Sequence, residues 1–151
     1  MLIKNIRYIY IILPFTILFG ASPVITSNGG GDAASISFAE NNTAAITTVT
    51  STDSDTGDTA TYSISGGADA ADFAINGSSG VLTFASTPNY ESPADDGTNN
   101  EYIITVQVSD GSNTDSQTIT ITVTDINEFA PEITSNSGGS TASISFAENN
   151  T

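Results

Sequence analysis

Apolar and polar residues alternate along most of the chain with a period of two. Ser35-Ile36-Ser37-Phe38 alternates, Tyr102, Ile104, Val106 and Val108 share one face, and Thr118 to Thr124 reads T-I-T-I-T-V-T. Successive side chains of a strand point to opposite faces, so these runs are half-buried strands with polar outer faces. Shorter strands are predicted around Ile25, Ile46 to Val49, Ala60 to Ile64, Phe73 to Ile75 and Val81 to Phe84, separated by Gly, Asp, Asn and Ser clusters that favour turns. No segment carries a convincing helical stripe. About seven short, turn-separated strands in ~100 residues predict an all-β fold, an antiparallel sandwich with Greek-key links. Its predicted core is the inward row: Ile36, Phe38, Ile46, Val49, Tyr62, Ile64, Phe73, Ile75, Leu82, Phe84, Tyr102, Ile104, Val106, Val108, Ile119, Ile121 and Val123.

The strand pattern starts twice. Residues 22–43 read SPVITSNGGGDAASISFAENNT and residues 130–151 read APEITSNSGGSTASISFAENNT; 17 of the 22 positions match at a spacing of 130 minus 22, or 108. A low-complexity coincidence among Ser, Thr, Gly and Asn would not keep Ile and Phe in register within ASISFAENNT. The chain is therefore expected to hold one complete unit, residues 22–129, and the truncated start of a second, residues 130–151, as a fragment of a longer tandem array. A unit of this length is one ordinary domain.

The N-terminus departs from the pattern. Residues 1–7 are basic, residues 8–19 are apolar, and Gly20, Ala21 and Ser22 are small, the layout of a secretory signal. About 14 apolar residues at ~1.5 Å each reach roughly 21 Å, short of the ~30 Å hydrocarbon core of a bilayer. Residues 1–21 are thus expected to be a signal peptide and the protein to be secreted or held at the cell surface. The cleavage site is poor, with Phe19 three positions before a cut after Ala21 and Pro23 just after a cut at Ser22.

Composition narrows the chemistry. There is no cysteine, histidine or tryptophan, and 17 acidic residues face 2 basic ones, for a formal charge of −15. Without His or Cys there is no Ser-His or Cys-His nucleophile pair and no zinc site of the usual ligand sets. Both cations, Lys4 and Arg7, precede the domain, so its surface would repel nucleic acid and anionic membranes. A chain whose strong ligands are carboxylates and carbonyls suits a hard, oxygen-preferring cation, calcium above all. Lacking disulfides, a small surface domain needs another staple.

Five acidic features fall at strand ends or in loops, where carboxylates can converge: Glu40 in FAEN, Asp53 and Asp55 in TDSD, Glu91 in PNYES, Asp110 in VSDG, and Asp125 to Glu128 in TDINEFAP. In this order, with FAINGSSGVLTF between the second and third, residues 22–129 resemble the cadherin repeat, of the kind found in bacterial cadherin-like surface proteins. The resemblance implies a cadherin/immunoglobulin-like sandwich with calcium ions at the junctions between repeats. Glu40, Glu91, Asp125 and Asn127 would serve the junction at residues 125–131, while Asp53, Asp55 and Asp110 match ligands offered to the junction on the N-terminal side. Three positions depart from the family pattern. Asn89 stands for the aspartate of the D-x-E motif, Glu128 for the second aspartate of the linker, and Phe129 for its last asparagine. Asn89 and Glu128 can still ligate through oxygen, whereas Phe129 offers only its backbone carbonyl.

Other acidic strings fail as sites. DSDTGDTATYSI lacks the glycine and the final glutamate of an EF-hand loop. Asp95-Asp96-Gly97 is a turn sequence. No catalytic residues are expected, and the protein is read as no enzyme. The function implied is a calcium-binding adhesion or stalk repeat whose junctions calcium stiffens. Its partners would be further repeats of the same chain and a cell-surface partner, homophilic or other; it would be no multi-span membrane protein. The alternative is a calcium-independent spacer in a larger secreted enzyme or polysaccharide-binding protein.

Overall fold

Among the described residues nine strands form: β1 Val24–Ile25, β2 Ala33–Ala39, β3 Thr47–Thr48, β4 Ser51–Thr52, β5 Thr61–Gly66, β6 Phe73–Ile75, β7 Val81–Phe84, β8 Glu101–Ser109 and β9 Thr114–Thr124. The computed structural model describes residues 20–55, 57–129, 131–145 and 148; the expected signal at 1–21 lies almost wholly outside them. Among the described residues, no helix is long and apolar enough to cross a membrane.

One sheet has the order β2-β9-β8-β5 and the facing one β3-β7-β6, with β1 and β4 paired beside them. The two longest strands, β8 and β9, are joined through the turn at Asp110–Asn113 and pair antiparallel from Glu101 opposite Thr122 to Ser109 opposite Thr114. The second hairpin, β6 to β7, turns at residues 76–80. There Asn76 Oδ1 accepts the Ser78 and Ser79 N–H, and Gly80 takes a φ of 72° that a side chain would oppose. A Cβ at Gly80 would also collide with the Val49 carbonyl.

Inward rows of both sheets meet as the alternation requires. Tyr102, Ile104, Val106 and Val108 of β8 and Ile119, Ile121 and Val123 of β9 are at most 2% exposed. Phe73 and Phe84 pack tilted with ring centroids 4.5 Å apart, and Tyr102 meets Phe84 edge-on at 5.1 Å, the T-shaped geometry aromatic quadrupoles favour. Ile36, Ile46, Tyr62, Ile64, Ile75 and Phe84 join this core half-buried. Ile25 is buried as well, although its two-residue strand is too short to show alternation. Gln117 takes an inward position on β9 and is fully buried; its amide donates to the Gly31 carbonyl at 2.7 Å and accepts from Asn28 at 3.2 Å, so no polar atom is stranded.

The sandwich is antiparallel except along one ladder. β2 runs parallel to β9, from Ala33 opposite Thr118 to Ala39 opposite Thr124. Alternation sets which face a side chain takes but carries no direction, so the sequence pattern is silent on this point. The parallel ladder makes β2 and β9 end at the same pole, so Glu40 and Asp125, the residues that follow them, become neighbours. Asp110 precedes β9 and lies at the opposite pole, about 35 Å away for eleven residues at ~3.3 Å each.

Candidate metal centre

Glu40 organises the C-terminal pole. It is fully buried, and its two carboxylate oxygens accept the Tyr90 and Ile126 N–H, each at 2.8 Å. These bonds tie the loop after β7 and the segment after β9 to the end of β2. They also hold the Glu40 carboxyl below the usual carboxylate range, the Ile126 bond contributing most and Tyr90 next. Glu91 follows Tyr90, and Asp125 and Glu128 flank the tethered Ile126, so the same bonds deliver three further carboxylates to this pole.

Oxygens of Glu40, Glu91 and Glu128 lie within 4.8 Å of one another. Oxygens bound to one calcium at ~2.3–2.6 Å are at most about 5 Å apart, so this all-oxygen group fits that ion. Glu128 is pushed above its ordinary value by desolvation first, then by repulsion from Glu40, Glu91 and Asp125. Asn41 donates its side-chain amide to Glu128, a neutral partner that leaves the charge in place. Asn127 is exposed on the linker. Asn89 turns its side-chain oxygen onto the Ser92 N–H at 2.9 Å, where it closes the turn that carries Glu91.

The N-terminal pole is built differently. Asp53, Asp55 and Asp110 line one recess together with Pro23, Ser51, Ala60 and Asp58. Asp53 accepts the Asp55 N–H at 2.8 Å and Asp55 accepts the Ala21 N–H at 2.7 Å. Asp110 accepts the Ser112 and Asn113 N–H at 2.6 Å each, which lowers its pKa, the Asn113 bond contributing most. Asn113 in turn donates to the carbonyls of Gly20 and Ala21 at 3.3 and 3.1 Å. These carboxylates share a recess, but each already has backbone donors.

Sequence reasoning missed three participants. Asp58 was set aside with the failed EF-hand string, Asn41 gave no signal beside Glu40, and Asn113 sits in an ordinary turn sequence. The Asp95 turn forms as expected, with Asp95 accepting the Asn99 N–H at 2.9 Å and the Asn100 N–H at 3.1 Å.

The described residues thus form a two-sheet β domain with a cluster of carboxylates where β2 and β9 end. A cadherin-domain family model matches residues 34–124, and the chain belongs to the cadherin family; its repeat is of the extracellular adhesion type. Among solved structures it is similar to the protocadherin gamma B7 extracellular cadherin domains 1–4, at 22% identity over 72% of this chain and 25% of that one, TM-score 0.58. It is similar to human protocadherin-24 EC1-2 at 24% identity over 73% and 46%, TM-score 0.56. Drosophila N-cadherin EC1-4 follows at 22% identity over 72% and 26%, TM-score 0.55. The chain thus spans a quarter to a half of these multi-repeat structures, which establish its fold. No curated protein sequence matched the chain.

Proposed function

We propose that residues 22–129 form a calcium-binding repeat whose C-terminal pole locks the linker to the following repeat, which begins at residue 130. The observation that carries this reading is the convergence of Glu40, Glu91 and Glu128 within 4.8 Å, where desolvation first and then its neighbours' charge push the Glu128 carboxyl up. Glu40, Glu91, Asp125 and Glu128 supply charged oxygens, and Asn127 an amide carbonyl beside them. Asn89 acts indirectly by shaping the Glu91 turn. Bound calcium would neutralise carboxylates that otherwise repel. Because Glu128 belongs to the linker and Glu40 to the sandwich, neutralisation draws the linker onto the domain.

The repeat serves as a stiff extracellular module in an exported adhesion protein or stalk, with residues 1–21 directing export. Asp53, Asp55 and Asp110 offer the same service to a preceding junction, with Asp58 alongside them. The test is a chain continued through its complete second repeat. Calcium should protect the linker at residues 125–131 from a glutamate-directed protease and raise the melting temperature, because an ion that binds only the assembled junction favours it by mass action. Trypsin is uninformative, since no Lys or Arg lies between residue 8 and Thr151. Equal protection by magnesium would contradict the proposal.

A further inference from the structure

Outside the two acidic poles, three more carboxylates gather around the 3-10 turn Ala70–Asp72 that leads into β6. Asp69 and Asp95 are 4% and 2% exposed. Backbone donors satisfy both. Asp69 accepts the Asp96 N–H at 2.7 Å and the Ile103 N–H at 2.6 Å, and Asp95 accepts those of Asn99 and Asn100. Bonds from neutral amides leave the charge in place, and no Lys or Arg lies between residue 8 and Thr151 to offset it. Asp72 is the third member. Its N–H donates to the Asp69 carbonyl at 3.0 Å and its carbonyl accepts from Ala85 at 2.8 Å, so its backbone is fixed, but its carboxylate takes no hydrogen bond from the described residues. Burial pushes the Asp72 carboxyl up, and repulsion from Asp69 and then Asp95 adds to the rise.

Asp72 opens into a recess of about 150 Å³ between the ends of β6 and β7 and the loop that follows β7. Phe84, Pro88 and Tyr102 give the recess apolar and aromatic walls, and Asn89 and Ser92 give it polar ones. Among the described residues, the carboxylate oxygens that lie within 4.8 Å of one another are those of Glu40, Glu91 and Glu128. Asp69, Asp72 and Asp95 are therefore not spaced to share one metal ion. An occupant matched to this recess carries a positive charge to Asp72 and lays an apolar body on the walls beside it.

We propose that the recess receives a lysine side chain of a partner protein, its ammonium on the Asp72 carboxylate and its methylenes against Phe84, Pro88 and Tyr102. A lysine has an apolar stem and a compact charged head, which suits one free carboxylate beside apolar walls. Asp69 and Asp95, buried behind Asp72, add attraction for the cation. The same charges select the partner. A second copy of this repeat has no cation to offer, because the chain's two, Lys4 and Arg7, both precede residue 22. The contact is therefore made with a different, basic protein, which the chain's formal charge of −15 would steer toward it.

The proposal involves no metal ion and is tested in chelator, so it stands or falls apart from the calcium reading. The backbone amide resonances of the 151-residue chain are titrated with an end-blocked glycine-lysine-glycine peptide and with its norleucine counterpart, which replaces the ammonium by a methyl group. The lysine peptide should shift Asp72, Ala85 and Ala94 together and to saturation; the norleucine peptide should leave them in place. Asp72→Asn should raise the concentration of lysine peptide needed by about tenfold. Asp72→Glu keeps the charge and should retain most of the affinity. Asp32→Asn removes the same charge from an exposed bend and should change nothing. Absence of shifts at Asp72 and Ala85, equal shifts with the norleucine peptide, or equal effects of Asp32→Asn and Asp72→Asn would overturn the proposal. Shifts led by Ile126 and Glu128 would seat the ammonium at the C-terminal pole and overturn it as well.

Discussion

The two acidic poles of the repeat are made of the same residue types and have opposite electrostatic characters. At the N-terminal pole, Asp53, Asp55 and Asp110 each hold a backbone N–H, and Asp110 titrates low for that reason. At the C-terminal pole, Glu40 is satisfied in the same way, but Glu91, Asp125 and Glu128 are crowded around it, and Glu128 is pushed high by desolvation first and by its neighbours' charge next. Charge alone does not make a cation site. Carboxylates brought together faster than the backbone can satisfy them support the proposed site, and among the described residues such crowding is found where β2 and β9 end side by side.

The largest effect should come from the frame both poles share. Ile104→Ala, at a fully buried position between them, should cost about 2–5 kcal/mol, measured by chemical denaturation. It should loosen both poles alike; a loss confined to one pole would mean that the poles are independently stable.

Acidification should separate the poles next. Asp110 and Glu40 have lowered values, so the stability they confer is present above their ordinary values of 3.8 and 4.5 and is lost as pH falls through the lower folded values. Glu128 has the opposite sign. Its folded value lies above 4.5, so its ionisation destabilises the fold, and protonating it as pH falls restores stability. Without calcium, melting temperature against pH should therefore show a gain or plateau just above 4.5 before the acid loss. Glu128→Gln should remove that shoulder and Asp110→Asn should keep it.

A smaller change is expected from single ligands. Glu91→Gln preserves shape and removes one charge, so the calcium concentration needed to protect the linker of a two-repeat chain should rise several-fold. Asp110→Asn, at the far pole, should leave that concentration unchanged. If the two variants behave alike, the distinction between the poles fails.

Much of the sandwich was legible because alternation is a direct record of which face is buried. Tyr102 to Val108 and Ile119 to Val123 are buried as their period requires. The parallel direction of β2 was not legible, since a period of two reads the same both ways, and Gln117 hid in an inward row because its burial depends on partners 86 and 89 residues away. The candidate site divides similarly. The acidic motifs were visible as strings, and their grouping rested on a family resemblance. The bonds that set the group up, from Tyr90 and Ile126 to Glu40, span 50 and 86 residues and involve backbone atoms that carry no sequence signature.

The most direct test of the central claim is a calcium titration of the 151-residue chain followed residue by residue through its backbone amide resonances. Tyr90, Glu91, Ile126 and Glu128 should shift together and saturate at ~10⁻⁴ to 10⁻³ M, the range of extracellular modules, while Ala21, Ser112 and Asn113 lag behind, and magnesium should reproduce little of the change. Shifts spread evenly over all acidic residues, or led by Asn113 and Ala21, would contradict the account.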